Sequence, residues 1–323
     1  MLKSLLATAA LAVGLTAASG YTAIAANVLI TPLGGQDGEF CKLDRALIFE
    51  DPDGTRILYD AGRTVAGPDD PRLGKIDALL VSHMHGDHAG NRHTKAVNAG
   101  TCAKPDFSVV ATPNTNTVNI ALAKNAKIIT GSEMPRFFAA KLKALGGNPK
   151  NSQLVRFGAN RKIGGVSVTT VPAVHSNGIA PSYIGGTLGE SLKAAGLTAY
   201  AGPPTGYVLT FTNGLVVYLS GDTGITAAQD TVVRGFYHAE LAVMNIGDTY
   251  TNGPKEAAYV VNELVRPVSV IASHANEVGT KDGKVIAGTR TDTFIKASNM
   301  PVYVPLSGIT MSFDGAGKCV AGC

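Results

Sequence analysis

The sequence predicts a fold that mixes α and β structure, and three observations carry that expectation. Short apolar runs are bounded by Gly, Pro, Asn and Asp turn signals, as strands are. Stretches with helical periodicity alternate with them along the chain. Titratable residues collect just after the apolar runs, where loops held by a sheet commonly carry sites. A chain of 323 residues can bury a large core, as one large domain or two small ones. A hydrophobic share of 45% against 16% charged residues is that of a soluble globular protein. The net charge of +4 is too small to argue for a nucleic-acid partner, and no Lys/Arg run supplies a basic groove.

The first 26 residues read as a targeting segment rather than as structure. Lys3 gives a positive start, Leu5 to Ala18 is apolar, and Ala23-Ile24-Ala25 supplies the small-x-small pattern of a cleavage site. The apolar run is short for a bilayer span, so residues 27–323 are expected as one exported domain with no membrane span after cleavage. Export makes Cys41, Cys102, Cys319 and Cys323 readable as disulfides. Three pairings are open. Cys41 with Cys102 and Cys319 with Cys323 is preferred, because the second pair is four residues apart at a Gly-containing terminus.

In chain order, Asn27 to Thr31, Arg45 to Phe49 and Arg56 to Tyr59 read as strands, the last ending at Asp60. Ala78 to Val81 is a buried strand that runs into Ser82-His83-Met84-His85-Gly86-Asp87-His88. Phe107 to Ala111 reads as a strand, Thr117 to Ala126 and Met134 to Leu145 as helices, and Leu154 to Phe157 and Val166 to Val171 as strands. Residues 178–205 look irregular, with a short helix near Glu190 to Ala195. A segment of that kind is a candidate lid. Tyr207 to Thr212 and Leu215 to Leu219 flank an Asn213-Gly214 hairpin turn. A helix-like stretch over Ile225 to Arg234 and a strand at Leu241 to Ile246 follow, and then a helix opened by Pro254. A strand at Val268 to Ala272, a helix around Thr291 to Ala297 and strands at Val302 to Leu306 and Ile309 to Phe313 close the chain.

The motif at 82–88 sets the chemistry. Neutral imidazole and carboxylate are preferred ligands of zinc and similar ions. The chain has seven histidines, and three of them fall within six positions here. His83, His85, Asp87, His88, His175, Asp222 and His274 all lie at or just after apolar strands. Two ions account for the set: one held by His83, His85 and His175, the other by Asp87, His88 and His274, with Asp222 bridging. A pair of ions about 3.5–4 Å apart activates a water and clamps attacking and leaving oxygens. His93 and His238 read as surface residues, Asp248 as a turn or supporting residue, and Lys255 and Glu256 as solvated.

This pattern resembles the metallo-β-lactamase superfamily: H-x-H-x-D-H at 83–88, then His175, Asp222 and His274 in that order. The resemblance covers nearly the whole mature chain. It implies a four-layer αββα sandwich, α+β, of two mixed sheets with a dinuclear site at one edge, and Asp60 as a carboxylate that orients a ligand histidine. Ala173-Val174-His175-Ser176 and Ser220-Gly221-Asp222-Thr223-Gly224 look closest to the ascorbate-6-phosphate lactonase-like metal-dependent hydrolases. Gly86 stands where that branch commonly has Tyr. The β-lactamases of the superfamily lack the bridging aspartate found here as Asp222, and flavodiiron oxidases place Glu where His85 stands. The expected cofactors are two divalent ions, zinc first, with manganese or iron as alternatives. The expected activity is hydrolysis of an ester, lactone or phosphodiester of a small molecule, with Asp87 and Asp222 as catalytic carboxylates. β-Lactam hydrolysis and a non-catalytic periplasmic metal-binding role are the alternatives.

Overall fold

The computed structural model describes residues 26–323, so the expected targeting segment lies, but for its last residue, outside the described residues. Two mixed sheets face each other. The first runs Cys319–Ala321, Met311–Phe313, Val28–Pro32, Leu47–Glu50, Arg56–Tyr59, Ala78–Leu80, Lys127–Thr130, Ser152–Leu154. The second runs Val302–Tyr303, Ser269–Ser273, Leu241–Asn245, Val216–Leu219, Thr205–Thr210, Val166–Pro172, Asn160–Ile163.

Side chains alternate across each strand, so each sheet has an inner and an outer face. Ala78 and Leu80 point between the sheets with Phe49, Tyr59, Tyr207, Leu219, Val243 and Ile271, while Leu79 points outward. Outside the first sheet, Val118, Phe138 and Leu142 of the helices Asn116–Lys124 and Met134–Ala144 cover Leu79 and Ile128. Outside the second, Val260, Val261 and Phe294 cover Tyr218 and Met244. Each such side chain contributes roughly 1.5–3 kcal/mol by leaving water. The result is the four-layer αββα sandwich that the resemblance implies.

Strand direction gathers the site. Arg56–Tyr59, Ala78–Leu80, Lys127–Thr130 and Ser152–Leu154 are parallel, and so are Val216–Leu219, Leu241–Asn245 and Ser269–Ser273. Val166–Pro172 runs in the same sense as Val216–Leu219, because Thr205–Thr210 lies antiparallel between them. The segments that begin at Asp60, Val81, Ala173, Ser220, Ile246 and His274 therefore leave their sheets at one edge.

Three departures from the sequence reading have physical reasons. Phe107 to Ala111 yields only Val109–Val110, a two-residue pairing with Arg92–His93, since this run has no core face to bury and Val110 is exposed. Lys127–Thr130 is a buried strand that follows a helix so closely that its short apolar run merges with the helical pattern. Residues 178–205 are more ordered than their Gly and Pro content implies: Gly178–Ile179 pairs with Ala199–Tyr200 around the helices Pro181–Ile184 and Gly186–Ala194.

Cys41 is bonded to Cys102, and Cys319 to Cys323, the preferred pairing. The first bridge spans a sequence separation of 61 that encloses Arg45, Asp60 and the 83–88 motif. Closing a loop of that size in the unfolded chain is worth about 4 kcal/mol. Reduction is therefore expected to lower the melting temperature by on the order of 5–10 °C. An unchanged melting curve, with all four thiols titratable, would contradict this.

Candidate metal centre

Ser82 follows the strand Ala78–Leu80, and the chain then winds Gly86–Gly90 as a π-helical turn closed by Asn91 N–H on the Gly86 carbonyl, 3.1 Å. Wide turns of this kind are frequent at functional sites. Here it brings Asp87 and His88 back toward His83. Gly221 supplies the approach from the other sheet. Its φ is +60°, and a Cβ there would lie 2.9 Å from the Ser82 Cβ, so glycine lets Asp222 reach the histidines. Asn177 ties in the third segment, its Oδ1 accepting from Met84 N–H at 2.8 Å.

The structure brings together all seven residues singled out by sequence. Ligand atoms of three groups lie within 4.8 Å of one another: His83, His85 and His175; His83, His88 and Asp222; and Asp87, His88 and His274. Asp222 Oδ2 is central, at 3.0 Å from His274 Nε2, 3.4 Å from His88 Nε2, 3.7 Å from His175 Nε2 and 3.8 Å from His83 Nε2. Asp60 supports the group from behind, as the resemblance implies. Its Oδ2 accepts from His88 Nδ1 at 2.8 Å and from Ser82 Oγ at 2.7 Å, and its Oδ1 from Ser82 N–H at 2.8 Å.

Burial, and then the neighbouring His88, push the His83 imidazole well below its ordinary pKa. Burial likewise lowers His85, His175 and His274. Neutral imidazole is the form that ligates. Burial alone would raise the Asp222 carboxyl, but His274 and His88 outweigh it and hold it well below the carboxylate range.

The two expected ion positions differ. In the first, His83 Nε2 and Asp222 Oδ1 are buried and have no hydrogen-bond partner. Unpaired buried polar atoms are costly, so a ligand that satisfies several at once fits this place. The second position holds a side chain that sequence reasoning did not single out. Arg45 Nη2 lies 2.6 Å from Asp87 Oδ2 and 2.7 Å from His274 Nε2, and Arg45 Nε donates to His88 Nε2 at 3.2 Å. Arg45 thus fronts the Nε2 atoms of His88 and His274, while His88 Nδ1 faces Asp60. That guanidinium lies against the atoms expected to hold the second ion, those of Asp87, His88 and His274.

A cavity of about 770 Å3 opens onto this edge, lined by Asp87, His85, His175, Asp222 and His274, and by Arg45 and Arg63. Lys42, Arg290 and the loop Gly247 to Tyr250 complete its wall. Asp248, exposed, belongs to that wall. Residues 178–205 line a neighbouring groove of about 520 Å3 that shares His175 and Ser176, rather than covering the main cavity as a lid. His93 is not a surface residue: its ring is buried against Gly67, with Nδ1 donating to the Thr94 carbonyl at 2.8 Å. His238, Lys255 and Glu256 are exposed, as the sequence reading has them.

Residues 55–274 match the beta-lactamase superfamily domain, about two thirds of the chain. A UPF0173 metal-dependent hydrolase of Koribacter versatilis is 28% identical over 236 residues, 72% of this chain and 82% of the relative. Another of that description, from Cupriavidus taiwanensis, is 29% identical over 209 residues, 63% of this chain and 60% of the relative's own length. Among solved structures, the metallo hydrolase Igni18 of Ignicoccus hospitalis superposes with a TM-score of 0.57 at 20% identity, covering 88% of this chain and 99% of that one. Family match, relatives and fold agree, and the chain belongs to the metallo-β-lactamase superfamily.

Proposed function

We propose that the chain is an exported metal-dependent hydrolase acting on an ester, lactone or phosphodiester of a small, anionic molecule. One observation carries the reading: His83 Nε2 and Asp222 Oδ1 are buried without partners inside a ring of imidazoles facing a cavity. His83, His85 and His175 would hold the ion, with Asp222 beside them. A divalent ion so held lowers the pKa of a bound water and polarises a carbonyl or phosphoryl oxygen. Three imidazoles suit zinc first, with manganese or iron as alternatives.

The chain's own residues do the rest. Asp222 keeps the imidazoles aligned through Oδ2 and offers Oδ1 on the same side. Asp87 lines the cavity as a carboxylate ion-paired to Arg45, which makes it a weak proton acceptor and a group that orients the attacking water. No serine or cysteine nucleophile is required. Lys42 and Arg63 give one side of the cavity wall positive charge, which favours a substrate bearing phosphate or carboxylate, while Asp248 and Glu277 offset the charge of Arg290. The two disulfides suit an exported location, as does the signal-like composition of Met1 to Ala26.

A panel of p-nitrophenyl esters, bis-p-nitrophenyl phosphate, lactones and nitrocefin tests the reading. Turnover of at least one anionic ester, lactone or phosphodiester is expected, lost on chelation and restored by metal. Metal uptake with no turnover across the panel would instead favour a non-catalytic binding role, and turnover of nitrocefin alone a β-lactamase.

A further inference from the structure

The second ion position of this site is filled by the chain itself. We infer that Arg45 takes the place of a second metal ion, so that the working centre pairs one divalent ion with one guanidinium. The inference rests on the reading of His83, His85 and His175 as an ion site.

Four contacts define the seat. Besides those to Asp87, His274 and His88, Arg45 Nη2 donates to Asn276 Oδ1 at 2.9 Å. The Asp87, His88 and His274 atoms that would face an ion thus face guanidinium N–H groups. An amide oxygen adds a fourth acceptor, on the loop after the strand Ser269–Ser273. Zinc takes nitrogen and carboxylate ligands at about 2.0–2.2 Å, far inside these spacings, so an ion could enter only by expelling the guanidinium. Expulsion is opposed by the backbone on which Arg45 stands. Asp44, beside it and buried, accepts from Gly35 N–H at 2.8 Å and Cys41 N–H at 2.7 Å, and Cys41 is bonded to Cys102. The side chain of Arg45 is 2% exposed, so its charge would be left in a dry site without its acceptors.

The substitution is chemically coherent. A guanidinium keeps its positive charge at every working pH and presents several donors in a fixed plane, so it can stabilise an oxygen that gains negative charge. Nη1 of Arg45 is buried with no partner, and the residue lines the cavity. The guanidinium would thus lie beside the ion's ligands with its charge at the edge of the cavity. A lone guanidinium differs from an ion in one decisive respect: it cannot be removed by a chelator or replaced by another metal.

Cobalt(II) titration of the metal-free full chain, followed by visible absorption and by metal content after gel filtration, tests this. The wild-type chain is expected to saturate at one equivalent. Arg45→Ala and the closer-sized Arg45→Met are expected to take up two, with circular dichroism confirming that each is folded. Two equivalents in wild type would overturn the inference and leave the hydrolase reading intact. A folded Arg45→Ala or Arg45→Met chain that still stops at one would also overturn it. No uptake by wild type would overturn both readings. The wild-type value decides the matter even where a variant fails to fold.

Discussion

Replacing Asp222 by asparagine is expected to cut turnover by on the order of 10³-fold while leaving the fold in place. The carboxylate is almost fully buried, and its Oδ2 lies within 3.8 Å of a ring nitrogen on each of His83, His88, His175 and His274. No other carboxylate among the described residues touches all four. Asparagine keeps the shape and part of the contact to His274, so the packing around Gly221 and Ser82 survives. What is lost is the negative charge that offsets an ion and keeps the imidazoles turned toward it. Melting temperature within a few degrees of wild type, with turnover and metal retention both collapsed, is the expected result. A variant with full turnover and unchanged metal content would remove Asp222 from the site.

Asp60→Ala is expected to be costly for both stability and function. Asp60 is fully buried and accepts three donors: Ser82 N–H, Ser82 Oγ–H and His88 Nδ1–H. Alanine leaves Ser82 N–H unpaired in a dry site and leaves Ser82 Oγ and His88 Nδ1 only each other and His83, a loss of about 2–4 kcal/mol. It also frees the His88 ring, and removing such a support typically costs about 10–100-fold in metal affinity or activity. Asp60 has φ +43°, a left-handed conformation that asparagine also tolerates. Asp60→Asn is therefore expected to recover part of the stability but not the orientation, since its amide nitrogen meets donors. Thermal melts and turnover of the two variants separate these effects. Equal loss of activity without any loss of stability in Asp60→Ala would contradict the proposed support.

Much of the site was legible because ligands announce themselves by residue type and place. His83, His175, Asp222 and His274 each follow a buried run of Val, Ile and Leu, and in this topology such runs end at one edge. Asp60 was legible in the same way, one residue past Arg56–Tyr59. Arg45 was not. Read in sequence it is the first residue of an apolar run, where a charged side chain ordinarily faces water. Nothing local records that it points between the sheets. The signal is long-range, since its acceptors Asp87, His88, His274 and Asn276 come from segments far along the chain. His93 was misplaced for a related reason, because the cover that buries it comes from Gly67. In the 178–205 segment the helix Gly186–Ala194 was read only in its second half, and Pro181–Ile184 was missed, because Pro181, Gly185 and Gly186 mark helix starts and ends there. Most strands and helices of the core followed from apolar runs and period, but the mostly exposed edge strands Asn160–Ile163 and Cys319–Ala321 carry no such run and were missed. The strand read at Leu154 to Phe157 lies at Ser152–Leu154, and Lys127–Thr130 needed its neighbours Ala78–Leu80 and Ser152–Leu154 to be seen as a strand.

The central claim is that the chain hydrolyses its substrate with an ion held by His83, His85 and His175. Metal content and turnover, measured together on purified wild-type and His83→Ala protein, test it most directly. His83 is fully buried and its Nε2 has no protein partner, so its loss removes a ligand without breaking a hydrogen bond at that atom. Wild-type protein is expected to carry an ion through gel filtration and to turn over an anionic ester, lactone or phosphodiester. Folded His83→Ala is expected to have lost both. Folded His83→Ala that retains the wild-type metal content and full turnover would contradict the account.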